Sequence, residues 1–280
     1  MSYERKFSFL DVLIKSALYI YSLLVIFPLI WIVYTSLKTN REFVANPWAL
    51  PVKPMFVNFV NAWTKVNFQT YAINSIMITL VAVVLTIVLA ATTSYILVRF
   101  NFKLNKFILM LFISGLYVPI ALILPPEFLL LRNLGLNNNR IGLIILYLVF
   151  SLPYSILVLS GFYRDLPKEF EESAYIDGSS QNRTFWQIIF PLSKNGVVAV
   201  AIFDFIWIWN DYIFALTFIS DKDLRTLPVG LIGLMESFRL KADWVTLFAG
   251  LNLVMIPSII IYFIFQKSLA SGLASGAVKG

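Results

Sequence analysis

Residues 73–98 read INSIMITLVAVVLTIVLAATTSYILV, and this stretch decides the class of fold. It contains no charged side chain, and from Leu80 to Ala91 it is apolar on all faces of a helix apart from Thr86. Crossing the roughly 30 Å hydrocarbon core of a bilayer takes about 20 helical residues. A strand of a membrane β-barrel would instead alternate apolar and polar residues. The stretch therefore predicts a transmembrane α-helix.

Five further apolar runs of similar length flank this one. They are approximately Ser16–Ser36, Phe107–Pro125, Ile141–Phe162, Val197–Ile219 and Val245–Phe265. The predicted fold class is accordingly all-α, a polytopic membrane protein with six transmembrane helices. Several of the spans contain prolines, namely Pro28, Pro119, Pro153 and Pro257. Because proline removes a backbone hydrogen bond, we expect kinks or breaks at these positions.

The composition supports a chain that is dissolved largely in lipid. Hydrophobic residues make up 59% and charged residues 13%, against about half and about a quarter in soluble chains. Cysteine and histidine are absent, which excludes disulfides, thiolate nucleophiles and zinc sites with His or Cys ligands. The net charge of +7 has no polar domain to carry it. We therefore interpret it as attraction to anionic lipid headgroups, and not to nucleic acid.

The links between the spans indicate the orientation. Arg5 and Lys6 precede an apolar stretch that is too long for a removable signal peptide, so it is predicted to be a retained first span. The short link Arg99–Lys106 carries three cations and no acid, which favours the cytoplasmic side. With six spans, this placement predicts that both termini are cytoplasmic.

The inner loop, residues 164–196, predicts a helix–turn–helix. Asp165 stands where an N-cap belongs, and Pro167 suits a first helical turn. Glu169, Glu171 and Glu172 favour the N-terminal half of a helix of about 11 residues. An amphipathic connector lying in the headgroups is the alternative, but anionic lipid would repel the three glutamates.

The second half of the inner loop contains the signals for a turn and a second helix. Gly178, after Asp177, offers a left-handed helix stop. Ser179 or Ser180 can cap a helix through Phe185–Ile189, which Pro191 is expected to close.

The fifth span contains polar groups that are costly in lipid. They are Asp204, Trp207, Asn210 and Asp211. The two aspartates are seven residues apart, two turns along one face of a continuous helix. Carboxylates and an indole on a water-filled path suit sugars, which gives a candidate substrate path. The alternative is that these groups fasten helix to helix.

The inner loop also carries a spaced motif. It consists of Glu172-Ser173-Ala174, three residues, Gly178, nine residues, then Ile188-Ile189-Phe190-Pro191. This resembles the EAA loop of ABC importer permeases, with Ser173 in place of an alanine and Phe190 in place of a leucine. Other segments are similar to the MalG-type permeases of carbohydrate ABC importers: Ser36-Leu37-Lys38, Asp177-Gly178, Trp209-Asn210-Asp211, Leu227-Pro228-Val229-Gly230 and Gly276-Ala277-Val278-Lys279-Gly280.

This resemblance implies a type I ABC importer permease fold in a bacterial or archaeal cell (inner) membrane. It implies as partners a second homologous permease, two ATPase subunits and an extracytoplasmic sugar-binding protein. The residues implied to couple to the ATPase are Glu171, Glu172, Ala174, Asp177 and Gly178. Glu172 is expected near a basic ATPase residue, Ala174 to allow close packing and Gly178 to make the turn.

The chain contains no Gly-x-x-x-x-Gly-Lys-Ser/Thr loop to cradle phosphates. We therefore expect no enzyme activity, no catalytic residue, no metal and no cofactor on this chain, with ATP and Mg held by the partner ATPase.

The resemblance predicts three segments. Residues 1–71 are the first transmembrane helix plus an outer amphipathic piece around Phe59–Val66. Residues 72–266 are the permease core, which includes the inner loop and an outer loop, residues 220–243. Residues 267–280 are a cytoplasmic tail that inserts between the ATPases. The outer loop is implied to reach into the binding protein, or else to be a solvated linker.

Three alternative functions stay open. The first is an ABC permease for a solute other than a sugar. The second is an ion-coupled secondary transporter that uses Asp204 and Asp211 as a relay. The third is an intramembrane enzyme in which these two aspartates, about 10 Å apart along a helix, form an acid/base pair.

Overall fold

The structure, a computed structural model, describes residues 9–65, 67–241 and 243–277. None of these residues lies in a strand. In chain order, the helices are α1 (Phe9–Thr35), α2 (Asn40–Ala45), α3 (Val57–Lys65), α4 (Phe68–Arg99), α5 (Asn105–Ser114), α6 (Ile120–Asn133), α7 (Arg140–Asp165), α8 (Glu169–Ile176), α9 (Gln181–Thr184), α10 (Phe190–Leu192), α11 (Lys194–Asn210), α12 (Ile213–Phe218), α13 (Leu227–Lys241) and α14 (Trp244–Ala277). A π-helix, Phe185–Ile189, joins α9 to α10. The predicted all-α fold is confirmed.

The number of spans agrees with the prediction when bent helix pairs are counted as single spans. Among the described residues, α1, α4, α7 and the first part of α14 are each long and apolar enough to cross a membrane. Two helix pairs pass the same test together, one bent by 105° and the other by 75°. The first pair is Asn105–Tyr117 with Ile120–Asn133, and the second is Gln181–Leu192 with Lys194–Asn210. Six spans result.

The third span is broken near Pro119, one of the positions where a kink or break was expected, but it runs to Asn133, beyond its predicted end at Pro125. Helix α5 ends at Ser114, and α6 begins directly after Pro119 and runs on to Asn133. Val118 is extended (φ −83°, ψ 117°), as expected before a proline, whose ring disfavours helical backbone in the preceding residue. In contrast, α1, α7 and α14 each continue as one helix through an internal proline.

The fifth span also differs from the prediction. The predicted run Val197–Ile219 is interrupted, because α11 ends at Asn210 and Asp211 is extended (φ −65°, ψ 133°). The six-residue helix α12 follows.

The chain forms two compact units whose membership does not follow the predicted three segments. The first unit joins the residues up to Phe68 with Leu231–Met255, and the second joins Gln69–Gly230 with the residues from Ile256 onward. Within the first unit, the Trp31 ring lies 5.1 Å from the Phe248 ring, and the Asn252 Nδ2 donates to the carbonyl of Ile32 (3.3 Å). These contacts explain why the start of α14 groups with α1.

The second unit has two buried clusters along α4 and α7. One contains Ile78, Leu143, Tyr147 and Phe214. The other contains Tyr95, Ile156, Tyr163, Phe185 and Ile189, and it lies where α4 and α7 meet the inner loop. The inner loop is therefore packed against the ends of two spans.

Some predicted segments lie partly outside the described residues. The amphipathic piece forms α3, but Val66 is outside the described residues, as are Arg5 and Lys6. The predicted tail begins inside α14, which continues to Ala277. Of the terminal motif, residues 278–280 are outside the described residues.

Candidate functional site

The first helix of the inner loop is shorter than predicted. Helix α8 has eight residues and begins after Lys168, whose side chain makes no capping hydrogen bond. The predicted cap was wrong, since Asp165 is the last residue of α7. Glu169, Glu171 and Glu172 all lie in the first turn, where their charges favour the positive end of the helix dipole.

The turn after α8 forms as its residues predict. Gly178 has φ +76°, a conformation that glycine adopts without a steric penalty. Its N–H donates to the carbonyl of Tyr175 (3.0 Å), and the N–H of Ser179 donates to the carbonyl of Ala174 (2.9 Å). These two bonds form a Schellman motif, which satisfies the free carbonyls of a helix end.

The second helix of the inner loop begins at its predicted cap but does not end as predicted. Ser180 Oγ accepts from the N–H of Arg183 (3.4 Å). The helical segment passes through Pro191 and ends at Leu192. Its π-helical portion brings Phe185 and Ile189 into the core.

The structure separates the two central glutamates of α8. Glu172 is exposed, whereas Glu171 is buried. The Glu171 Oε1 lies 3.0 Å from the Nε of Arg99, and the two side chains are only 10% and 6% exposed. The Arg99 Nη2 also donates to the carbonyl of Leu166 (2.7 Å). A buried ion pair therefore ties the end of α4 to the start of the inner loop.

Sequence reasoning considered Arg99 only as a topology signal. One turn earlier on α4, the buried Tyr95 ring lies 5.9 Å from the Tyr163 ring and 4.8 Å from the Phe185 ring. Together, the ion pair and this aromatic cluster fix the inner loop to α4 and α7. A pairing across 72 positions has no local signal in a single sequence.

The remaining residues of the predicted coupling set divide between core and surface. Ala174 is buried, while Asp177 and Gly178 are exposed beside Glu172. The same surface presents Phe170, Tyr175 and Ile176, which are 40%, 42% and 86% exposed. The exposed side of α8 is thus both acidic and apolar, a combination suited to a protein partner.

In the fifth span, Asp204 fastens one helix to another. It is buried, and its Oδ2 accepts a hydrogen bond from the Ser155 hydroxyl of α7 (3.0 Å). This contact favours the interhelical alternative for Asp204.

Asp211 does not lie on one helix face with Asp204, because α11 ends at Asn210. Its Oδ2 accepts from the Tyr147 hydroxyl (2.8 Å) and from the N–H of Ala215 (3.1 Å). Its Oδ1 accepts from the N–H of Phe214 (3.4 Å). Asp211 therefore satisfies N–H groups at the start of α12 and holds this helix to α7, so the predicted continuous face was wrong.

The structure brings only two of the four predicted path residues together. Trp207 packs edge-on against Tyr147, with ring centroids 5.6 Å apart, and Tyr147 in turn binds Asp211. Asn210 is exposed, and its Nδ2 donates to the carbonyl of Ile206 and to the Ser258 hydroxyl. Ser155 and Tyr147, the partners of the aspartates, stand two turns apart on α7, or about 12 Å. This spacing disfavours a direct acid/base pair.

The first part of the outer loop is anchored by side chains from other elements. Asn138 Oδ1 accepts from the N–H groups of Ser220 (3.1 Å) and Asp221 (2.9 Å). Asn74 Nδ2 donates to the carbonyls of Asp223 and Arg225, each at 2.9 Å. Residues 227–241 then form α13. The first part of the outer loop is therefore held in place by side chains of other elements.

The Leu227-Pro228-Val229-Gly230 motif is tied to the start of α4. The N–H of Leu227 donates to Ser75 Oγ (2.8 Å). A Cβ on Gly230 would lie 2.1 Å from the Tyr71 ring, so a glycine is required there.

Among the described residues, no group of three or more acidic side chains could hold a metal ion. The fold defines a polytopic, helical membrane protein. The family described as binding-protein-dependent transport system inner membrane component matches residues 82–275, and the chain belongs to this family. This confirms the resemblance that the inner loop carries.

Individual relatives match along most of their length. The diacetylchitobiose uptake system permease protein NgcG of Streptomyces coelicolor is 33% identical, over 99% of this chain and 91% of its own. The sulfoquinovosyl glycerol transport system permease protein SmoH of Agrobacterium fabrum is 35% identical, over 91% and 89%. The melibiose/raffinose/stachyose import permease protein MelC of Bacillus subtilis is 33% identical, over 88% of each chain.

A solved structure shares the fold. A chain of a bacterial ABC transporter involved in the import of the acidic polysaccharide alginate superposes with a TM-score of 0.81. The two chains are 23% identical, and the match covers 94% of this chain and 98% of the other. The chain is thus a multi-pass permease subunit with the predicted importer fold.

Proposed function

We propose that this chain is the permease subunit of an ATP-driven carbohydrate importer. The observation that carries the proposal is the inner loop: an exposed acidic and apolar helix, α8, held to α4 by the buried Arg99–Glu171 pair. Family membership and relatives whose names specify glycosides or sugars support the carbohydrate class.

The proposed assembly contains a second homologous permease, two ATPase subunits and an extracytoplasmic sugar-binding protein. ATP and Mg bind to the ATPases, and this chain holds no cofactor. Both termini and the inner loop face the cytoplasm, in agreement with the cations of the Arg99–Lys106 link.

In the proposed mechanism, ATP-driven closure of the ATPases moves α8. Because Glu171 is paired with Arg99 at the end of α4, α4 moves with it, and the permease switches between inward- and outward-facing states. Glu172 and Asp177, together with the exposed apolar residues of α8, contact the ATPase. The substrate path passes exposed polar groups such as Asn210, while Asp204 and Asp211 hold helices in place.

Glu172→Lys tests this function, with Glu169→Lys as the matched control. Both glutamates are exposed in the first turn of α8, and only Glu172 occupies the motif position. We expect Glu172→Lys to lower ATP-dependent sugar uptake at least tenfold, because the lysine would face the expected basic ATPase residue and two like charges across an interface cost several kcal/mol. Glu169→Lys is expected to lower it much less. The measurements are uptake of labelled oligosaccharide and recovery of the ATPase on purification. Normal uptake by Glu172→Lys contradicts the coupling role.

A panel of solutes distinguishes sugars from other substrates. Competition by amino acids or oligopeptides, with no competition by sugars, would leave the importer mechanism intact but exclude the carbohydrate class.

A further inference from the structure

Two arginines approach the same side of α4 near its start. Arg140, the first residue of α7, donates from its Nε to Asn74 Oδ1 (3.1 Å) and from its Nη2 to the carbonyl of Asp223 (3.4 Å). Asn74 Nδ2 in turn donates to the carbonyl of Arg225 (2.9 Å), and the Arg225 guanidinium interacts electrostatically with the Tyr71 hydroxyl. Tyr71 and Asn74, three positions apart, are neighbours on the helix surface. We name Arg140 and Arg225 the arginine pair.

Among the described residues, no carboxylate forms an ion pair with the arginine pair. Both hydrogen-bond partners of Arg140 are neutral oxygen atoms. The Nε of Arg225 is buried and has no hydrogen-bond partner in the part of the chain that the structure describes. Asp221 and Asp223 lie on the same loop, but both are exposed, and Lys222 stands between them. Two positive charges are therefore held close together without a paired counter-charge, an arrangement that a bound anion stabilises.

The arginine pair lies where the apolar parts of two spans begin. Helices α4 and α7 are both long and apolar enough to cross a membrane. The apolar run 73–98 of α4 starts directly before Asn74, and that of α7 starts directly after Arg140. The first residues of these runs, Ile73 and Ile141, are 58% and 59% exposed. Since such runs occupy the hydrocarbon core, the polar residues at their ends lie at the level of the lipid headgroups and their phosphates.

The backbone that carries Arg225 is fixed to α4 by buried polar groups. Asn74 is 2% exposed and donates to the carbonyls of Asp223 and Arg225, each at 2.9 Å. Ser75, also buried, accepts from the N–H of Leu227 (2.8 Å). The backbone around the arginine pair is therefore ordered before a ligand binds, which lowers the entropic cost of binding.

Arginine suits a phosphate group because its planar guanidinium can donate two parallel hydrogen bonds to a pair of oxygen atoms. We propose that the arginine pair binds the phosphate group of an anionic phospholipid, in the leaflet at the N-terminal ends of α4 and α7. Arg225 donates to the phosphate oxygens, and Arg140 supplies the second positive charge. The acyl chains lie beside Ile73 and Ile141. This inference depends on α4 and α7 crossing the membrane, and it is independent of the transported solute.

Binding of phosphatidylglycerol tests the proposal, with the zwitterionic phosphatidylcholine as the control lipid. The test variants are Arg225→Gln and Arg140→Gln, whose glutamine can still donate to Asn74. Lys222→Gln is the matched control, because it removes the same charge from an exposed position of the same loop. The full chain, with the subunits that copurify with it, is exchanged into detergent without lipid. Bound lipid is counted by native mass spectrometry, and the affinity is measured from the rise of the unfolding midpoint as lipid is added.

We expect the unmodified chain and Lys222→Gln to bind phosphatidylglycerol about tenfold more tightly than either arginine variant, because each variant loses a charged contact with the phosphate. The double variant is expected to bind phosphatidylglycerol no more tightly than phosphatidylcholine. Arg225→Gln keeps the test valid if Arg140→Gln does not fold, since the Arg225 side chain makes no hydrogen bond to the described residues. The midpoint without lipid shows whether each variant is folded.

Equal binding of phosphatidylglycerol by the unmodified chain and the double variant would overturn the proposal. So would an equal loss in Lys222→Gln and Arg225→Gln, which would indicate a general effect of surface charge.

Two further measurements distinguish the phospholipid from other carriers of an anionic group. If inorganic phosphate at the same concentration raises the midpoint as much as phosphatidylglycerol, the site takes a free anion and the assignment to lipid is wrong. If the arginine variants keep full binding of phosphatidylglycerol but lose stimulation of ATP hydrolysis by the sugar-binding protein, the arginine pair contacts a partner carboxylate. That result overturns the proposal as well.

Discussion

Glu171 and Glu172 are neighbours in the sequence, but the structure gives them opposite surroundings. The three glutamates of the first turn of α8 looked equivalent, because a single sequence does not show which side of a short helix packs against the protein. Burial selects Glu171 for Arg99 and leaves Glu172 at the surface. The motif spacing correctly predicted the place of the loop, but not the residue that anchors it.

The buried pair can be tested by exchanging its charges. Arg99→Gln or Glu171→Gln leaves one buried charge unpaired, which typically costs about 3–5 kcal/mol, so we expect a lower unfolding midpoint in detergent and weak uptake. The double variant Arg99→Glu, Glu171→Arg restores opposite charges. We expect it to recover part of the unfolding midpoint and part of the uptake. Arg183→Gln is the exposed control. A double variant no better than the single ones would contradict a direct pairing.

Asp211 marks a helix break that the sequence did not predict. An aspartate inside an apolar run was interpreted as part of a continuous helix, because hydropathy does not detect a break of one or two residues. Its carboxylate accepts from two N–H groups in the first turn of α12, although Asp211 stands one residue before the N-cap, Tyr212. This pairing is local in the sequence, but the apolar residues on both sides concealed it.

At the scale of elements, the sequence predicted best those features that depend on neighbouring residues alone, such as turns and helix caps. Gly178 and Ser180 determine the turn of the inner loop through backbone conformation and capping, and both were found as predicted. The disturbance of the third span at Pro119 was predicted as a kink or a break. Pro119 indicates that the helix is disturbed there, but the 105° bend depends on packing between distant segments.

Two glycines with open surroundings give a matched test of the turn. A Cβ on Gly178 or on Gly161 would meet nothing within 4 Å, but only Gly178 has positive φ. We expect Gly178→Ala to destabilise the protein by about 1–2 kcal/mol, the cost of left-handed backbone. Gly161→Ala, inside α7, is expected to be neutral or slightly stabilising. Thermal unfolding in detergent measures both, and equal effects would contradict the role assigned to the turn.

At the scale of the whole molecule, composition and hydropathy predicted a six-span membrane protein, and the family confirms this class. The grouping of residues 231–255 with the first helix could not be predicted. It depends on contacts such as Trp31 with Phe248, for which neither position carries a distinctive local pattern.

The chain alone is expected not to transport. We expect no solute accumulation in liposomes that contain only this polypeptide and an ion gradient. The two aspartates that could form a proton relay are instead engaged with Ser155 and Tyr147. Addition of the partner subunits and ATP is expected to produce uptake, measured with labelled oligosaccharide. Gradient-driven accumulation without ATP would favour the secondary-transporter alternative.

The pairing of Arg99 with Glu171 also bears on how such proteins can be recombined. A chimera that exchanges only the inner loop between two permeases separates Glu171 from its partner Arg99, since the two residues lie on different segments of the chain. The inner loop and the end of α4, which supports it, therefore have to be exchanged together, although many other residues stand between them in the sequence.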